Sequence, residues 1–201
     1  AFPDEFINNS NDYVDLICKE MIPEIKDKGL AKFCDIFCEK GYFSIEQSRT
    51  ILSSAIDAGM KIKMHADEFH DLGAIDLAIE INANSVDHLM FSSEDSMKKL
   101  GKSTIIATLL PGTSLFLGGK RYANGRKMID LGCNIALATD YNPGSCTITS
   151  LPMILFLSMI NCGLTIEESF KGVTYNAAKS LSIEDEVGVV SKNYNADLLF
   201  W

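Results

Sequence analysis

Two spacings of apolar residues alternate along the chain. Tyr13, Leu16, Ile17, Met21 and Ile25 recur at helical intervals, and Gly29 closes that helix. Phe33 to Cys38 is a short apolar run suited to a buried strand. Ser44 and Gln47 form a capping box, which predicts a helix through Ile51, Leu52 and Ala55 to a stop at Gly59. Met60 to His65 alternates Lys with apolar residues and reads as the next strand. A helix over 75–81, a strand over Ser85–Leu89 and a helix from Ser93 to near Gly101 follow. Thr104 to Leu110 predicts a long apolar strand broken by Pro111-Gly112. Beyond it come a helix over 122–131 ending at Gly132 and a last buried strand over 134–139. The turn-forming run Asp140-Tyr141-Asn142-Pro143-Gly144 leads to three helices over 151–160, 166–171 and 176–181.

Strands that alternate with helices of this length mean βα units and a parallel sheet. The five strands centre near residues 35, 62, 87, 107 and 137. No Gly-rich dinucleotide fingerprint follows any of them, so a doubly wound nucleotide fold has no positive support. A (β/α)8 TIM-type barrel runs to about 250 residues, so the expected fold class is α/β, the C-terminal part of such a barrel. Residues 1–185 are read as that partial barrel, truncated at both ends. There is no initiator Met, Ala1-Phe2-Pro3-Asp4-Glu5 reads as the middle of a loop, and Ala196 to Trp201 reads as a strand cut short.

Composition narrows the function classes. In 201 residues, 47% are hydrophobic and 22% charged, which suits a globular chain with a sizeable core. The net charge of -9 repels phosphate backbones and argues against broad nucleic-acid binding. No apolar run reaches the length of a membrane span. The six cysteines form no CxxC pair and several sit in apolar runs, so they read as buried free thiols of a cytoplasmic protein.

The polar residues at the strand exits carry the chemistry. One strand ends at Cys38-Glu39, the next at His65-Ala66-Asp67-Glu68, another at Asp87-His88, and the last at Asp140. In a parallel barrel such ends converge on one mouth, and two of the chain's three histidines sit there. Singly, each has a plainer reading: Asp140 as a turn former, His70 as an ordinary loop residue, Glu39 as a loop anchor or a pocket residue. Together they suggest a hydrolytic metal site. Neutral imidazole and carboxylate suit zinc or a similar first-row ion. A Glu beside a ligating His can move a proton from water to a leaving nitrogen. A second His can orient the nucleophile or polarise a carbonyl.

These segments resemble the amidohydrolase superfamily and, within it, the imidazolonepropionase family. The likeness rests on Phe37-Cys38-Glu39-Lys40-Gly41, His65-Ala66-Asp67-Glu68-Phe69, Val86-Asp87-His88-Leu89 and Leu109-Leu110-Pro111-Gly112-Thr113. It continues through Ala138-Thr139-Asp140-Tyr141-Asn142-Pro143-Gly144-Ser145, Thr174-Tyr175-Asn176-Ala177-Ala178, and Gly188 to Leu198. The resemblance implies that His65 and Asp140 ligate Zn2+ or Fe2+/Fe3+ and that Glu68 shuttles the proton and touches the substrate ring. It implies that His88 helps activate water beside Asp140, and that Asn142, Gly144 and Ser145 bind substrate. The implied reaction is hydrolysis of the cyclic amide 4-imidazolone-5-propanoate to N-formimidoyl-L-glutamate in histidine degradation. The implied partner is that small molecule; no nucleic-acid or membrane partner is expected, and the exposed sheet edges of a half-barrel predict a homodimer. Residues 186–201 would begin the return to a small β domain, with Asn193 in place of a turn glycine. The family's His-x-His pair and its substrate-binding Arg and Tyr have no counterpart here, so this chain alone is expected to be inactive. A related purine or pyrimidine deaminase and a non-catalytic half-barrel assembly piece are the alternatives.

Overall fold

The computed structural model describes residues 2–199. Its centre is one parallel sheet in the order β1 (Phe33–Cys38), β2 (Lys61–Ala66), β3 (Ser85–His88), β4 (Ile106–Leu109) and β5 (Asn134–Leu137). Helices α1 (Ser10–Leu16) and α2 (Ile22–Lys28) precede the sheet. Between strands lie α3 (Ile45–Asp57), α4 (Ala74–Glu80), α5 (Glu94–Leu100), α6 (Pro111–Phe116) and α7 (Gly125–Asp130). After the last strand come α8 (Leu151–Asn161), α9 (Ile166–Val173) and α10 (Tyr175–Ser180). The predicted α/β order and the parallel sheet are both observed. The sheet is open among the described residues, with β1 and β5 at its edges.

Register separates the two faces. Ile36, Met64, Val86, Ala107 and Ile135 lie abreast, all buried, and share a core with Leu52, Ile75 and Met128 of the flanking helices. The neighbouring rows contain Asp35, Lys63 and Ser85, and Phe37, His65, Asp87 and Thr108. Side chains alternate along a strand, so these polar rows share the opposite face. A parallel sheet normally buries apolar side chains on both faces. The polar face here leads up to the strand exits where the candidate site lies.

Local sequence explains most boundaries. Ser44 Oγ accepts from Gln47 N while Gln47 Oε1 accepts from Ser44 N, the predicted capping box at the start of α3. Gly29 ends α2 at φ 61°, a left-handed conformation that costs glycine little. A π-helical turn, Ile17–Met21, joins α1 to α2. It lies just ahead of Pro23, whose missing N–H cannot continue an α-helical ladder. Gly101 serves close approach rather than chain reversal: a Cβ there would lie 2.1 Å from Leu131 O.

Four readings need correction. Pro111-Gly112 does not merely break a strand; it opens α6, with Pro111 in the first turn, where its missing N–H costs nothing. The β4 strand is accordingly confined to Ile106–Leu109. The helix expected from Tyr122 starts only at Gly125, because Asn124 caps it by accepting from Lys127 N. The C-terminal segment forms no strand up to residue 199, and Phe200 and Trp201 of the expected strand lie outside the described residues. Asn193 does adopt the left-handed conformation, at φ 71°. Among the described residues no helix is long and apolar enough to cross a membrane.

Candidate metal centre

The exits of β2, β3 and β5 place four polar side chains together. His65 is the penultimate residue of β2 and Glu68 lies just past its end. His88 ends β3 at φ 79°, and Asp140 follows β5 at φ 53°. Such left-handed conformations are rare for side-chain-bearing residues and here turn the chain where the strand stops. One ligand atom from each of His65, His88 and Asp140 lies within 4.8 Å of the others. The His65 and His88 rings are 5.1 Å apart. Glu68 Oε2 stands 3.6 Å from His88 Nε2. A cleft of about 250 Å³ opens over them, walled by Phe37, Tyr42, Phe69 and Leu117, with Asn142, Gly144 and Ser145 at its rim.

Burial sets the protonation states of this group. His88 is 3% exposed, and burial together with the charge of His65 pushes its pKa down to about 3. It is therefore a neutral imidazole, and its Nε2 is buried with no hydrogen-bond partner. Burial also lowers the pKa of His65. The hydrogen bond with Asp35 and the charges of Asp35, Asp87 and Asp140 outweigh it and bring the metal-free ring to about 9. Burial raises Glu68 to about 7, against the opposing charge of His65. A carboxyl poised there can both accept and return a proton near neutral pH.

The donor set fits a metal ion. An orphaned, neutral, buried imidazole nitrogen facing a second imidazole and a carboxylate is costly unless a bound group or water partners it. The imidazole of His65 and the carboxylate of Asp140 match the preferences of zinc and iron, with the His88 nitrogen beside them.

Supporting side chains were less legible. Asp140 Oδ2 accepts from Thr113 Oγ1 at 2.6 Å. Thr113 belongs to α6, the unpredicted helix, and its place after a strand exit was the only signal for it. Glu39, left open between anchor and pocket residue, is an anchor. It is 1% exposed and accepts from Lys40 N, Phe69 N, His70 N and the His70 ring at 2.8 to 3.2 Å. His70 is thus half of a clamp on the loop that carries Glu68. Asn142 organises its own loop. Its Oδ1 accepts from Gly144 N and Ser145 N, and its Nδ2 donates to Asp140 O and Ser145 Oγ. Those bonds fix the shape of the rim. All six cysteines are free, as their spacing indicated.

Comparison with known proteins agrees with this geometry. The profile of the Amidohydrolase family matches residues 39–201. Imidazolonepropionase of Alkaliphilus metalliredigens is 43% identical over 201 residues, covering 100% of this chain and 48% of its own. The Bacteroides fragilis imidazolonepropionase is 44% identical over 199 residues, with 99% and 48% covered. The chain thus spans about half the length of these relatives. Among solved structures, an adenosine deaminase from Xanthomonas campestris with bound zinc superposes with a TM-score of 0.68 at 12% identity. It covers 88% of this chain and 46% of that one. The A. niger ochratoxinase gives 0.71 at 20% identity, covering 92% and 47%. At such identities these two matches speak for the fold alone.

Proposed function

The chain belongs to the amidohydrolase family, and from that premise we propose that it forms the C-terminal half of a metal-dependent (β/α)8 hydrolase acting on 4-imidazolone-5-propanoate. The observation that carries this reading is the convergence of His65, His88, Asp140 and Glu68 in one cleft. The substrate is suggested by relatives named imidazolonepropionase that align over almost all of this chain. His65 and Asp140 would hold the metal, Zn2+ or Fe2+/Fe3+. When bound, such an ion supplies Lewis-acid polarisation and makes hydroxide accessible near neutral pH.

The chain's own residues then divide the work. Glu68 takes the proton from the attacking water and returns it to the ring nitrogen as the carbonyl carbon–nitrogen bond breaks. Water's oxygen ends in the new carboxylate and the amidine nitrogen carries the proton, which gives N-formimidoyl-L-glutamate. His88, neutral with a free Nε2, orients the water and polarises the carbonyl. Thr113 fixes the Asp140 carboxylate. The Asn142-shaped rim, with Gly144 and Ser145, receives the propanoate. The segment from residue 186 would lead to the small β domain, and a cytoplasmic homodimer in histidine breakdown is the setting this reading implies.

The test compares this chain with a complete barrel carrying a His-x-His pair, which these 201 residues lack. Catalytic zinc normally has three protein ligands and a closed pocket, so the complete barrel should consume the imidazolone and this chain alone should not. In the complete barrel, Glu68→Gln should keep its metal and lose roughly 100- to 10,000-fold in turnover. His65→Ala should lose metal. Ammonia release from a purine or pyrimidine, with the imidazolone untouched, would favour the deaminase reading instead.

A further inference from the structure

His65 has two ring nitrogens, and only one can face the cleft. We propose that Asp35 is a positioning residue that holds His65 Nδ1–H and so commits Nε2 to the metal. The Nδ1 atom lies 3.2 Å from Asp35 Oδ1 and 3.0 Å from Oδ2. In register, Asp35 pairs with Lys63, while His65 pairs with Phe37. The carboxylate therefore reaches diagonally along β1 to the imidazole instead of meeting the lysine opposite it. Lys63 Nζ is turned the other way, onto Ser85 Oγ at 2.6 Å. The rings of Phe37 and His88, at 5.6 and 5.1 Å, flank the imidazole and oppose its rotation.

This is the outer-shell arrangement in which a carboxylate fixes the tautomer of a ligating histidine and raises its basicity. A competing use of the same atoms exists, because Asp35, His65 and Asp87 also have one ligand atom each within 4.8 Å of one another. Two bonds speak against a second cation there. His65 Nδ1 is engaged by Asp35, and Asp87 Oδ1 already accepts from Ser85 Oγ at 3.1 Å. The side chain of Asp35 is 42% exposed, so replacing it should spare the core.

The inference rests on the reading of His65 as a metal ligand, and the experiment keeps the two apart. In the full chain, 15N-labelled histidine reports whether His65 Nδ1–H is protected from exchange, and chelator competition gives the zinc affinity. The proposal expects a protected Nδ1–H in wild type that is lost in Asp35→Ala. Zinc should bind roughly 10- to 100-fold more weakly in that variant. Asp35→Asn keeps an acceptor and should stay within a few-fold of wild type. With 113Cd in place of zinc, coupling should appear to Nε2 of His65 and not to Nδ1. Unchanged zinc affinity in Asp35→Ala, while His65→Ala weakens it, overturns this proposal alone. Unchanged affinity in His65→Ala overturns the metal reading and the proposal with it. Two cations per chain, with Asp35→Asn as damaging as Asp35→Ala, would make Asp35 a ligand and refute the positioning role.

Discussion

Glu68→Gln should make the metal-free chain more stable, although the same change is expected to cost the complete barrel its turnover. The carboxyl is 5% exposed and its pKa is raised from 4.5 to about 7, chiefly by burial. Below pH 4.5 the group is protonated in both the folded and unfolded chain and costs nothing. Between 4.5 and 7 the unfolded chain releases a proton that the folded one retains, so stability falls as pH rises. Above 7 the charged form is buried and the loss is complete. At 1.36 kcal/mol per unit, that loss is about 3 kcal/mol. Glutamine has the shape of the protonated acid and carries no charge, so the variant should escape the loss. Urea midpoints of the metal-free protein across pH 4.5 to 9 measure it. The two curves should meet at the acid end and separate by about 1.5–3 kcal/mol by pH 8, allowing for imperfect packing of the amide. Parallel curves across the range would show that Glu68 is not held in its protonated form by burial, and the proton-shuttle argument would lose its physical basis.

Glu39→Ala removes four hydrogen bonds from one buried carboxylate. At about 1 kcal/mol each the cost is about 4 kcal/mol, whereas Glu39→Gln keeps one acceptor oxygen and two of the four bonds and should cost about 2 kcal/mol. Equal losses in the two variants by urea denaturation would contradict the clamp. Thr113→Val leaves Asp140 Oδ2 without its 2.6 Å donor. Stability should fall by about 1–2 kcal/mol and metal affinity by roughly 10-fold; affinity unchanged in chelator competition would remove Thr113 from the site.

The sheet was legible because each strand is a short run between turn signals that places an apolar residue in one buried row, Ile36, Met64, Val86, Ala107 and Ile135. Helix α6 was not, because Pro-Gly-Thr-Ser has turn composition and no helical period. Its helicity comes from tertiary packing instead: a Cβ on Gly112 would lie 3.0 Å from Ile154 Cδ1 and 3.1 Å from Cys146 Sγ. The π turn left only Pro23 as a trace, since a single wide turn barely shifts the apolar spacing. In the site, His65, Glu68, His88 and Asp140 stood out as polar residues at strand exits. Asp35 did not, because an acid inside a strand reads as a solvated outward residue until register shows which neighbour it reaches. Glu39 showed its acidity but not its role, which depends on a loop thirty residues away folding over it.

The strand exits are locally expensive, as segments held for chemistry often are. Asp67, His88, Leu89 and Asp140 all adopt positive φ there, a conformation that disfavours residues bearing a Cβ. Asp67 is fully buried with Oδ1 unpartnered, and burial lifts its pKa to about 6 despite the bond from Ser92 Oγ. His88 keeps an orphaned nitrogen and Glu68 a buried carboxyl with no cation bonded to it. A histidine kept for packing would have both ring nitrogens satisfied or exposed, and a structural acid would resemble Glu39, saturated by donors. Glu39 and Glu68 sit in the same corner of the fold, both buried and both carboxylates. One is satisfied from four directions; the other faces a cleft and an unpaired imidazole. Stability selects for the first arrangement, and the chemistry proposed for the cleft gives a reason for the second.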